Sequence, residues 1–187
     1  KGDPGDKGDK GDKGDQGDPG PLNDPDLTHI TNLSWIHDDD GNLFPNLDEF
    51  RQFSGEFGLV ILFDNEVVMN TVFRLKGETT RSEVFQVYLR QPGEHGFCEC
   101  LLPDVSYDPV DVTGIDPDGR IVDITPLDPA TDQAKAVRLR LFELPVRTPL
   151  FVLRVVFRAD FALDTKGKAI DGEHIGGLVP QRRTGNG

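Results

Sequence analysis

The chain has 187 residues, enough for one ordinary domain plus an appendage, and carries a formal net charge of −13. So acidic a chain lacks the clustered cations that grip a phosphate backbone, which excludes nucleic acid as a partner class. No apolar run approaches the ~20 residues that cross a bilayer as a helix, and because the sequence begins inside a repeat it reads as a mature fragment, in which a missing targeting signal carries little weight.

That repeat comes first along the chain. Gly2, Gly5, Gly8, Gly11, Gly14, Gly17 and Gly20 fall at every third position, and the period stops after Leu22. Three polyproline-II-like chains can wind together only with glycine at the crowded axis, so the spacing predicts a collagen-like stalk over residues 1–22. Disorder is the competing reading for a Gly-, Asp- and Lys-rich segment, but a linker has no reason to keep strict phase. Lys7 and Asp9, Lys10 and Asp12, and Lys13 and Asp15 place a cation at one Y position and an anion in the next triplet. Staggered chains could pair these charges, each exposed pair contributing ~0–1 kcal/mol. Lys-Gly-Asp arises automatically from this pattern, so we read it as structural rather than as a receptor motif. Seven triplets span only ~60 Å and hold three prolines, so the downstream domain is expected to supply trimerisation. The triplets resemble those of collagen-like surface and fibre proteins of bacteria and phages, in which charged X and Y residues stand in for hydroxyproline. The resemblance covers residues 1–22 alone. It implies a homotrimer at an extracellular, cell-surface or virion-appendage location, with an adhesive or structural role.

Residues 23–26 read as a hinge, and 27–175 as a β-rich head. A first strand is expected over His29–Trp35. Asn46 as N-cap, Glu49 at the third helical position and Gly55 just past the end predict one short helix with Leu47, Phe50 and Phe53 on its apolar side. Leu59–Phe63 is a compact apolar run, and Phe85, Val87 and Leu89 alternate within Val84–Leu89. Asp116-Pro117-Asp118-Gly119 punctuates a hairpin between Val110–Val112 and Ile121–Ile124. Val137, Leu139 and Leu141 alternate with Arg138 and Arg140. Phe151, Leu153, Val155, Phe157, Ala159 and Phe161 alternate with Arg154, Arg158 and Asp160. These two strands are expected to pair antiparallel through Glu143–Pro149. Asp164-Thr165-Lys166-Gly167 is a further turn, and 176–187 an extended tail. Many short strands with one short helix predict a mainly β fold, an antiparallel β-sandwich or jelly-roll-like head behind the stalk.

The chemistry-bearing residues point away from catalysis. His29, His37, His95 and His174 lie in no HExxH pattern, and the chain has no GxSxG or Walker loop. Ser34 lies three residues before His37, but a triad is recognised by geometry. Calcium is the metal that Asp38, Asp40 and Asn42, or Asp116, Asp118 and Asp123, would suit; neither group has EF-hand spacing, and ordinary Asx and β-turns are the alternative. Cys98 and Cys100 share one side of a strand and are expected as small buried hydrophobes, with interchain disulfides as the alternative. In the expected strand pairing, Arg138 falls opposite Arg154 and shares an outward face with Arg140 and Arg158. Four like charges there need anions: acidic groups of a neighbouring subunit, a bound anion such as an acidic glycan, or salt bridges within the chain. The sequence thus reads as a non-enzymatic homotrimer whose head registers the stalk and meets a surface receptor, glycan or assembly component. A lectin-like head, supplied only by Trp35, Tyr88 and Tyr107, is one rival, and a hydrolytic head is another.

Overall fold

A computed structural model describes residues 26–35, 47–76, 79–146 and 151–175. The collagen-like repeat, the hinge up to residue 25, Asn46 and the tail from 176 lie outside the described residues. The chain enters beside the turn at Lys168, whose Nζ lies 3.8 Å from the Asp26 carboxylate.

Strand β1 (Thr28–Leu33) comes first, close to where it was expected. Helix α1 (Leu47–Gln52) buries Phe50. It does not stop at Gly55. A π-helical turn continues through Phe53–Phe57 and closes at Gly58, whose N–H reaches the Phe53 carbonyl. The apolar side persists, with the Phe53 and Phe57 rings stacked 5.5 Å apart, and the positive φ of 88° needed to end the turn falls at Gly58. Strand β2 (Leu59–Val68) leads into a second short helix, α2 (Met69–Val72). Then come β3 (Arg74–Lys76), β4 (Thr79–Arg81), β5 (Phe85–Gly93), β6 (Gly96–Leu101), β7 (Val105–Ile115), β8 (Ile121–Pro126) and β9 (Gln133–Leu141). Strand β10 (Val152–Phe157) ends in a 3-10 turn at Ala159–Phe161, and β11 (Ile170–Ile175) is last.

The fold is mainly β. Six strands form one sheet in the order β11-β1-β2-β9-β7-β8, three form a second in the order β10-β5-β6, and β3 pairs with β4. All pairings are antiparallel except β1 with β11. The two larger sheets share one core. Leu59, Ile61 and Phe63 of β2, Val137, Leu139 and Leu141 of β9 and Tyr107 of β7 meet Phe85, Val87 and Leu89 of β5. Phe157 of β10 bridges the layers, 4.6 Å from Phe85 and 6.0 Å from Phe63. Each fully buried side chain of this kind stabilises the fold by ~1.5–3 kcal/mol.

The outer face of the larger sheet is also partly covered. Register shifts around Gly114 bend the β7–β8 hairpin, and a Cβ at Gly114 would lie 2.8 Å from that of Asp123. The bend brings the hairpin tip back over the sheet, where Asn32 Nδ2 of β1 donates to the Gly119 carbonyl at 2.7 Å. Val60, Val110, Ile121 and Ala136 are buried beneath it. The tip itself is the expected turn, with Gly119 at φ 81°.

Strand β9 does not pair with β10. It lies between β2 and β7, and β10 lies against β5 in the other sheet. Both faces of β9 are buried, Ala136 and Arg138 on one side and Val137 and Leu139 on the other, so it takes a central place with two neighbours. Leu144 and Val146 sink into the core between the sheets, which makes the connection a crossover rather than a hairpin. The alternation expected through Phe161 also breaks at Arg158: the 3-10 turn keeps Ala159 buried and leaves Phe161 67% exposed.

Candidate functional site

The split of β9 from β10 divides the arginine stripe into two unlike places. On the outer face of the larger sheet, Asp108 of β7 lies opposite Arg138. Its Oδ2 accepts from Arg138 Nη2 at 3.2 Å and from Arg140 Nε at 2.8 Å. Asp108 and Arg138 are both buried. Burial pulls the Arg138 guanidinium below its usual range and Arg140 adds to that, while Asp108 opposes it. Here the anion is supplied within the chain, so these two arginines form part of the scaffold.

Arg154 and Arg158 stand on the other sheet. Strand β5 turns Phe85, Val87 and Leu89 inward and Gln86, Tyr88 and Arg90 outward. In register, Arg154 faces Tyr88, Tyr88 faces Leu101, and Arg90 faces both Val152 and Glu99. The Arg154 guanidinium lies 4.5 Å above the Tyr88 ring and reaches Glu99 through two bonds, Nη2–Oε2 at 2.9 Å and Nε–Oε1 at 3.2 Å. Arg90 covers the Phe97 ring at 5.1 Å. Gln86 Oε1 accepts from the Tyr88 hydroxyl at 3.0 Å and from Arg158 Nη2 at 3.5 Å. Around this network Phe97, Leu101 and Val152 stand 62%, 52% and 57% exposed. Exposed ion and cation–π pairs hold a fold together by only ~0–1 kcal/mol each. What they do here is fix long side chains in one arrangement beside exposed apolar groups. Aromatic and arginine side chains of this kind are enriched at protein interfaces.

Strand β6 is the least covered part of this sheet, with all six residues exposed. Cys98 and Cys100, expected in the core, are exposed thiols. They do point to the core side of the sheet, opposite Gln91 and Leu89, but β6 overhangs the core's edge. Beside it, Cys100 and Leu101 border a groove of about 550 Å³ with Arg51, Asp104, Phe142 and Glu143.

The remaining polar groups are held by the fold. The buried Ser34 hydroxyl accepts from the Val60 N–H at 2.8 Å and donates to the Gly58 carbonyl at 3.2 Å; His37 lies outside the described residues. Asp116 accepts from the N–H groups of Asp118 and Arg120 and pairs with the Arg120 side chain, and the Arg120 N–H bond holds its carboxyl below the usual range. That is an Asx turn. It uses Asp116 for the backbone and does not gather Asp118 and Asp123 around a common point. Among the described residues no three His, Cys, Asp or Glu side chains are placed to hold a metal ion; Asp38, Asp40 and Asn42 lie outside them. Tyr107 is buried, which raises its hydroxyl to about 12, and Trp35 packs on the core, so Tyr88 alone of the three expected rings stands at the arginine face.

One cluster has no local sequence signal. His29 of β1, buried, places Nδ1 at 3.1 Å from Asp64 of β2 and Nε2 at 3.4 Å from Asp171 of β11. Its N–H also donates to Asp64 at 2.9 Å. The two carboxylates sit on opposite ring nitrogens, which suits a polar clasp across three strands rather than a shared ligand. Thr28 next to it donates to Asp164 at 3.3 Å.

Among the described residues no helix is long and apolar enough to cross a membrane. Compared with known proteins, the chain matches no family model, no curated protein and no solved structure.

Proposed function

We propose that this chain is the subunit of a homotrimeric structural protein of a cell surface, virion or extracellular fibre. Residues 1–22 form a collagen-like triple-helical stalk, and a jelly-roll-like β head registers the three chains and mediates attachment or assembly. The observation that carries this reading is the outer side of the β10-β5-β6 sheet, where fixed arginines alternate with exposed Phe97, Leu101 and Val152. Such a surface fits contact with another macromolecule better than it fits chemistry on a small molecule. The strict glycine phase supports the number of copies, because only three chains satisfy it. Three heads on one rod would gain avidity through effective concentration.

A carbohydrate- or receptor-binding head is the second reading, favoured by Tyr88, Arg90 and Arg158 on one face. The guanidinium already over the Tyr88 ring weighs against it, since a sugar would need that ring face.

Circular dichroism of the full chain tests the stalk. A collagen-type signal should melt cooperatively, at a lower temperature in high salt and lower still in Gly11→Ala. A chain without such a transition would overturn the reading.

A further inference from the structure

We infer that the head trimerises edge to edge, with strand β6 of each copy lying against strand β10 of the next. This rests on the trimer reading above and names its seam. Among the described residues no strand pairs with the outer edge of β6 or of β10. Bare edges are usually blunted in monomers by Lys, Pro, a bulge or a covering element. Among the described residues neither edge is covered, and the one charge on each strand, Glu99 and Arg154, is paired with the other across the outer face. The sequence GFCECL contains no Lys or Pro, its register with β5 runs unbroken from Gly96 to Leu101, and all its residues are exposed. VLRVVF is likewise free of Lys, Pro and bulge, with Val152 57% exposed.

The occupant follows from direction and number. Both β6 and β10 run antiparallel to β5, so they run parallel to one another. Rotation about an axis along the strands preserves that direction, so β6 of one copy meets β10 of the next as a parallel pair. A two-fold axis across the strands would instead set β6 against β6. A contact between two different edges is heterologous, and it closes into a ring where the rotation allows or runs on as a filament where it does not. The glycine repeat of the same chain sets that ring at three. The exposed Cys98 and Cys100, useless in the core of one copy, then become small apolar side chains under the neighbour's Leu153 and Val155 side of β10.

The test uses full chains. Cys98→Lys/Cys100→Lys blocks β6, and Val152→Lys/Val156→Lys blocks β10. Each variant should sediment as a single chain with an unchanged far-ultraviolet dichroism of the head. Their mixture should sediment as a dimer, because one intact β6 still finds one intact β10. A trimer persisting in either variant, or no association in the mixture, overturns the seam. Wild-type protein that sediments as a single chain overturns the trimer reading itself, so the two failures are distinguishable. Should a variant lose its dichroism, alkylation of the wild type decides. Iodoacetamide should label Cys98 and Cys100 at least tenfold more slowly at concentrations where the protein is trimeric than where it is dissociated. Equal rates would contradict the seam.

Discussion

Replacing Asp108 with alanine should be among the most damaging single changes in the head. Asp108 and Arg138 are each 8% exposed, and one carboxylate oxygen serves both Arg138 and Arg140. Arg138 Nε already lacks a hydrogen-bond partner among the described residues, and the stem is pinned where a Cβ on Gly58 would lie 2.8 Å from its Cγ. The guanidinium therefore has little room to find water. Stripping one partner from a buried ion pair costs ~3–5 kcal/mol. Arg140 is more exposed and stacks 4.9 Å over Phe142, so its released charge adds only ~0–1 kcal/mol. Set against a typical total of ~5–15 kcal/mol, the change removes about a fifth of the stability at the least, and most of it in a marginal fold. Urea unfolding followed by the fluorescence of Trp35, the single tryptophan, at one fixed chain concentration would show a lower midpoint at unchanged slope. In Asp108→Ala/Arg138→Met the uncompensated charge is gone and most of the loss should return, to within ~1–2 kcal/mol of wild type. A single variant costing under ~1 kcal/mol, or a double variant less stable than the single, would refute the reasoning.

Asp164 gives a pH signature. Burial raises its carboxyl, but the N–H groups of Lys168 and Lys166 and the Thr28 hydroxyl outweigh that and hold it below 3.8. A depressed native value means stabilisation that is complete above the ordinary aspartate range of about 4 and is lost as pH falls through the native value. Asp164→Asn should therefore lower Tm at neutral pH and flatten the fall of Tm below about pH 4; an unchanged slope would count against the turn. Ser34→Ala strands the Val60 N–H, and urea unfolding should register a loss of ~1–3 kcal/mol. Ultraviolet titration should find a phenol ionising near 12 that vanishes in Tyr107→Phe; persistence of that transition would contradict the burial of Tyr107.

What could be read from the sequence was what its local pattern decides. The alternation of Phe85, Val87 and Leu89 and the turn at Asp116–Gly119 depend on neighbours a few residues away, and both stand in the fold. The errors share a cause. Arg138 and Arg140 were read as an outward stripe in need of anions, but which of the three sources supplies them was not legible, because the Asp108 carboxylate lies on β7, about 30 residues earlier. Pairing β9 with β10 followed sequence adjacency, and Leu144 and Val146 pulled that connection through the core instead. Cys98 and Cys100 were assigned to the core from the usual burial of cysteine, which an overhanging edge strand overrides. The His29 clasp needs the parallel pairing of the first and last strands, and no local pattern reports it. The arginine face was half legible: Arg154 and Arg158 were singled out, but their neighbours Tyr88 and Glu99 come from β5 and β6, whose pairing only the tertiary fold sets.

Sedimentation equilibrium of the full chain tests the central claim most directly. A trimer would give three times the chain's 20.7 kDa across a tenfold range of concentration, and the same mass in Gly11→Ala, because the head rather than the stalk holds the copies together. A mass of 20.7 kDa for the wild type would contradict the account, and a trimer lost in Gly11→Ala would move the register from the head to the repeat.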